Sequence, residues 1–198
     1  MGPVLAGFML VAGTEAEPYP VDDVLNAAKA GCEAALGDSD SAASLVASGW
    51  RVADVKAGGW IEKVLTLEKA VSRSATSPSQ AFQRQVSGRN LVLFVNDLAR
   101  KGERLRLCSV QDPSAEIGNA GSLIVKWAGR PPTSPTVMAP NPLEGFDNPV
   151  FIKNWVPGLS ARADDSTIRY VPLQYGGSDE PNTGLTFSSE RISQVEQQ

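Results

Sequence analysis

Two adjacent acidic pairs, Asp164-Asp165 and Asp179-Glu180, are the residues best suited to general acid and base chemistry in this chain. Two carboxylates can divide those roles when their surroundings push their pKa values apart. Adjacent acids are also ordinary solvated turn chemistry, so the pairs are candidates only. The chain has no histidine. That removes Ser-His-Asp triads, Cys-His pairs and His-ligated metals. No Walker A loop, Gly-x-Gly-x-x-Gly turn or Gly-x-Ser-x-Gly elbow is present. Ser72 to Ser79 has no lysine spaced for a Ser-x-x-Lys nucleophile. Asp38-Ser39-Asp40-Ser41 opens like a calcium loop but lacks the glycine and glutamate that such a loop needs further on. No catalytic residue, cofactor or metal site is expected, and what chemistry remains is that of carboxylates or Ser and Lys nucleophiles.

Cys32 and Cys108 are the only cysteines. They are too few for a structural zinc site. They allow one intramolecular bridge, or they pack as two small buried thiols. A bridge needs Cα atoms within about 7 Å. Closing a loop of this length stabilises by about 4–5 kcal/mol in the chain-entropy model.

The choice depends on the compartment. Val4 to Gly13 is a short apolar run followed by Thr14-Glu15-Ala16-Glu17-Pro18. It reads as an export leader over residues 1–17, with cleavage after Ala16, or as a strand buried on both faces. Met1-Gly2-Pro3 adds no basic side chain to the leader. The run is shorter than the roughly 20 residues that span a bilayer. The expected location is therefore the periplasm or outside the cell, and the alternative is the cytoplasm.

With 198 residues the chain sits near the single-domain range and can bury a sizeable core. The net charge of −4 argues against a nucleic-acid partner. The one basic cluster is Arg100-Lys101-Gly102-Glu103-Arg104-Leu105-Arg106. It reads as a solvated hairpin turn. Arg104 and Arg106 share one strand face, where they could meet an acidic partner.

The elements that must position these groups follow from periodicity. Val21 to Leu36 reads as an amphipathic helix with Asp22 and Asp23 in its first turn and Gly37 as its stop. Residues 38–41 supply caps for a short helix, Ala42 to Ser48. Ile61 to Ser72 is read as a strand from its β-branched content, and Ser77 to Gln85 as a short helix ended by Gly88. Leu91–Val95 and Leu105–Val110 form a hairpin around a turn at Ala99–Gly102. Six prolines, Pro131, Pro132, Pro135, Pro140, Pro142 and Pro149, mark residues 113–149 as an extended loop or arm. Val150–Trp155, Ser166–Leu173 and Gly184–Ser188 read as further strands of residues 150–193. Residues 194–198 read as a tail.

The tryptophans adjoin glycine or proline junctions and suit anchoring of strand ends. A second reading groups Trp127, Trp155, Tyr170 and Phe187 beside the proline-rich segment. They would then line a groove for a small molecule or a proline-rich peptide.

Ala30-Gly31-Cys32, Ser48-Gly49-Trp50 and Leu107-Cys108-Ser109-Val110 follow one another in that order. Over residues 21–112 this order resembles a group of small, uncharacterised exported proteins of Gram-negative bacteria. The resemblance implies a Cys–Cys bridge and a periplasmic setting, and no activity.

Helices first and strands after predict an α+β fold. The expectation is a mainly antiparallel sheet with two N-terminal helices on one face, in a core of residues 18–112. The expected function is a non-catalytic exported module, such as an inhibitor, accessory or envelope-associated protein, whose partner is a protein or small molecule. The alternative is a His-free carboxylate hydrolase, with saccharides as a substrate class. Two carboxylates flanking a cleft about 5–9.5 Å apart would favour it.

Overall fold

Val21, Val24, Leu25, Ala28, Cys32 and Ala35 recur at helical spacing, and all are buried. They form the inner face of α1 (Val21–Ala35). In the computed structural model, residues 19–37, 40–71, 79–100, 103–113, 120–139, 150–170 and 184–194 are described. The leader, Asp38-Ser39, Asp179-Glu180 and residues 195–198 lie outside them.

The fold is α+β, with four helices and an eight-stranded antiparallel sheet among the described residues. The strands are β1 (Arg51–Val52), β2 (Gln80–Val86), β3 (Arg89–Arg100), β4 (Glu103–Asp112), β5 (Val137–Ala139), β6 (Val150–Trp155), β7 (Asp165–Tyr170) and β8 (Leu185–Gln194). Their order is β1-β2-β3-β4-β8-β7-β6-β5. Two four-stranded meanders thus join where β4 pairs with β8.

Period-two alternation sorts the strands into two faces. Phe82, Leu91, Leu93, Val95, Cys108, Val110, Ile168, Leu185 and Phe187 face the main core under α1. Leu45 of α2 (Ser41–Ala47) and Ile124 of α4 (Ala120–Ala128) complete it. Ala81, Val92 and Phe94 face the other side, where Trp60, Ile61, Val64 and Leu65 of α3 (Trp60–Val71) pack on them. Helices therefore lie on both faces, α1, α2 and α4 on the main-core side and α3 on the other.

Cys32 and Cys108 form a disulfide with Cα atoms 5.4 Å apart. It ties α1 to β4. The close approach needs Gly31, where a Cβ would come within 2.8 Å of Leu93 Cδ1 and 2.9 Å of Trp50 Cζ2.

Three expectations are corrected. Residues 61–71 are helical because Ile61, Val64 and Leu65 follow the helical period, and that period outweighs β-branched content. Glu62 in its first turn accepts from the Gly58 amide at 2.6 Å. Residues 80–86 are a strand, not a helix. Gly88, read as a helix stop, and Ser87 before it both have positive φ, 76° and 44°. That is the geometry of a tight hairpin turn, and it puts Val86 opposite Arg89. Residues 113–149 are not one extended arm, because they contain α4 and β5. The hairpin at Leu91–Val110 is present, with its strands reaching to Arg100 and Glu103.

Candidate functional site

Of the four aromatic residues expected to line a groove, Trp155, Phe187 and Tyr170 are buried in the main core and Trp127 is half-buried against it. Trp155 is 0% exposed, Phe187 1% and Tyr170 6%. Trp127 packs edge-on to Phe187 at 6.2 Å, and its Nε1 donates to Asn26 Oδ1 of α1 at 2.9 Å. Phe151 stacks on Tyr170 at 5.6 Å. Trp155 Nε1 donates to the Arg130 carbonyl at 3.2 Å. Their area fastens α4 and β6–β8 under α1, with only Trp127 of the four partly open to solvent. Burial pushes the Tyr170 hydroxyl up in pKa and the neighbouring Lys153 down. The Lys153 Nζ donates to Thr136 Oγ1 at 2.6 Å.

The open site lies on the opposite face. Among the described residues, α3 packs on the β1–β3 corner there, and its Trp60 borders Gln111 and Thr186. Beyond it, β4, β8 and β7 floor a cleft of about 410 Å³. Register sets its side chains in three cross-strand rows. Gln111, Thr186 and Arg169 make the first row, and Ser109, Ser188 and Thr167 the second. Leu107, Glu190 and Asp165 make the third. Asn154 on β6 extends the middle row and accepts from Thr167 Oγ1 at 2.9 Å. Rows on one face are about 6.8 Å apart along a strand. A cation and an acidic pair therefore sit at opposite ends of a hydroxyl-rich floor.

Among the described residues, the hydroxyls of Ser109, Thr186 and Ser188 have no side-chain hydrogen-bond partner. Asp165 Oδ1 is buried and also has none. Asp165 and Glu190 lie directly opposite each other. Like charges so placed oppose each other. Burial raises the pKa of both carboxyls, and the charges of Asp165 and Asp164 raise Glu190 further. Asp164 turns away, accepting from the Ile192 amide at 2.7 Å. The pair Asp164-Asp165 thus splits, with one acid tying the C-terminal part of β8 and one entering the cleft.

The other motifs have structural places. Asp40 caps α2, accepting from the amides of Ala42 and Ala43 at 3.0 and 3.3 Å. Arg106 reaches both Asp97 oxygens and the Gly37 carbonyl. Among the described residues, no group of three or more potential metal ligands occurs. No described helix is long and apolar enough to cross a membrane.

Sequence reasoning missed this floor although its signal was present. Asp165-x-Thr167-x-Arg169 and Thr186-x-Ser188-x-Glu190 alternate with apolar or small residues. Nothing local shows that the two series lie side by side. Comparison with protein-family models, curated proteins and solved structures finds no match.

Proposed function

We propose that this protein is an exported, non-catalytic binding module that holds a polar ligand on the open half of its second sheet face. The carrying observation is the 410 Å³ cleft floored by unpartnered hydroxyls, with Arg169 at one end and Asp165 and Glu190 at the other. Unmet donors and acceptors around a cleft suit a ligand rich in hydroxyl, amide or charged groups, and short Ser and Thr side chains let it approach the sheet closely. The disulfide supports export, since such bonds persist in oxidising compartments. A periplasmic setting follows the resemblance to small exported Gram-negative proteins.

The test is an amide-shift titration of the full chain with neutral oligosaccharides and short polar peptides. Saturable shifts clustered on Ser109, Thr167, Thr186 and Ser188, and abolished by Ser188→Trp, are expected. Shifts that are absent or spread over both faces overturn the reading. Export is tested by intact mass after expression in a Gram-negative host, with thiols blocked before reduction. Loss of residues 1–16 and no blocked thiol are expected. An intact N-terminus with two blocked thiols refutes export.

One observation favours a second reading, a carboxylate hydrolase: Asp165 and Glu190 face each other with raised pKa values. Side by side at one end of the cleft, they are poorly placed to flank a scissile bond. Glycosidase activity lost in both Asp165→Asn and Glu190→Gln would establish this reading over the first.

A further inference from the structure

The cleft floor repeats along its strands with a period that one class of ligand shares. Its three rows lie about 6.8 Å apart. An extended peptide presents alternate side chains to one side at that same spacing. Residues i, i+2 and i+4 of such a peptide, laid along β8 on the open face, meet the rows of Glu190, Ser188 and Thr186 in turn. A saccharide has no such match, and among the described residues that line the cleft no aromatic ring offers a sugar a platform. β4, β8 and β7 are each paired on both sides. Their main-chain groups are spent in the ladder, so a peptide meets this face through side chains rather than by adding a strand.

The rows differ in chemistry. The third holds Leu107, Glu190 and Asp165. Both acids lie inside continuously described stretches, residues 184–194 and 150–170. They are directly opposed, and among the described residues neither has an ion pair. Asp165 Oδ1 is buried without a hydrogen-bond partner. The charges that act on Glu190 are those of Asp165 and Asp164, both acidic. A cation between the two carboxyls relieves that opposition. Leu107, half-buried in the same row, suits the aliphatic stem of a Lys or Arg whose head lies between the acids.

Ser109, Ser188 and Thr167 of the middle row have short side chains. A small peptide residue there lets the peptide backbone come down to the hydroxyls. Gln111, Thr186 and Arg169 of the first row include no acid, so a second basic residue gains nothing there and a polar one does. Within the three rows, acids stand at one end only.

We propose that the cleft binds an extended peptide segment whose alternate residues run basic, small, polar, with the basic side chain seated between Asp165 and Glu190. This rests on the binding role of the cleft and names its ligand class.

The probe is the pentapeptide Lys-Thr-Ser-Thr-Gln, acetylated and amidated so that lysine carries its only charge. It is titrated into the full-length, oxidised protein and amide shifts are followed. The same peptide with Glu for Lys, N-acetyl-lysine amide and maltotriose are titrated beside it. Saturation by the lysine peptide is expected in the millimolar range or below, with shifts at Glu190, Ser188 and Thr186. Binding of the Glu peptide and of N-acetyl-lysine amide is expected to be weaker by about tenfold or more. Asp165→Asn and Glu190→Gln each weaken the lysine peptide by about tenfold. Glu190→Gln removes a repulsion, so the fold is kept. Equal binding of the two peptides, or of N-acetyl-lysine amide and the lysine peptide, overturns the proposed pattern. Saturation by maltotriose and none by the lysine peptide overturns the ligand class and leaves the binding role standing. Silence from every probe overturns the ligand class and the binding role together.

Discussion

Ser188 and Ser189 are neighbours on β8 and face opposite sides of the sheet. Ser189 is buried under α1, where its hydroxyl shares a 2.8 Å hydrogen bond with Ser166, which in turn accepts from the Leu159 amide at 2.9 Å. Ser188 faces the cleft and, among the described residues, has no side-chain partner. The same residue type thus completes the structure on one face and stays available on the other. The α1 face joins a disulfide, the aromatic pairs Trp127–Phe187 and Phe151–Tyr170, the buried Trp155 and helix caps. The second face is closed by α3 at one corner and left polar elsewhere. Buried polar groups without partners cost stability, so a fold that leaves Asp165 Oδ1 unmet beside an opposed carboxylate holds there what folding alone does not require.

The sharpest way to break this division is to empty the α1 face. Trp155→Ala removes a fully buried indole and is expected to lower stability by about 3–5 kcal/mol in urea denaturation. A loss under 1 kcal/mol would mean that the aromatic cluster is not the core. Next comes the staple. Replacing Cys32 and Cys108 together by serine is expected to cost about 2–5 kcal/mol, read as a drop in Tm against the oxidised protein.

The acidic pair sharpens the comparison from the other side, with a smaller effect. Asp165 and Glu190 have raised pKa values, so folding favours their protonated forms. Their contribution is fully present below the ordinary carboxylate range, near pH 4, and is lost as pH rises through the raised values. Asp97 runs the other way. Burial pushes its carboxyl up, but the hydrogen bonds and charges of Arg106 and Arg104 outweigh that and hold it below its usual value. Its contribution is present above that range and lost as pH falls. Glu190→Gln is therefore expected to raise stability at pH 7 by up to about 1 kcal/mol and to flatten the decline above pH 4. A lower stability at pH 7 would show that Glu190 makes a structural ion pair instead.

How much of this was legible beforehand divides along the same line. α1, the cap at Asp40 and the β3–β4 hairpin follow from local periodicity and turn chemistry, and Cys32 lay on the apolar helix face that meets β4. α3 was misread because Val64 and Leu65 suit strands as well as helices, and β2 because Ser87-Gly88 ends a strand as readily as a helix. The cleft depends on β4 meeting β8 across a long separation in sequence. The residues of its floor are ordinary strand polars until register sets them in rows. Trp127, Trp155, Tyr170 and Phe187 belong to the main core cluster rather than to an open groove, and α4, which packs there, lies inside a segment that reads as a proline-rich arm.

The proposed binding role keeps the open face for a ligand rather than for folding. The most direct test is the urea stability at pH 7 of a variant stripped of three floor hydroxyls, Ser109→Ala, Thr186→Val and Ser188→Val together. Stability within about 0.5 kcal/mol per site of the natural protein, or above it, is expected, because these hydroxyls lack side-chain partners among the described residues and valine suits strands. A loss of more than about 2 kcal/mol would show that they belong to a structural hydrogen-bond network, and it would contradict the division between the two faces.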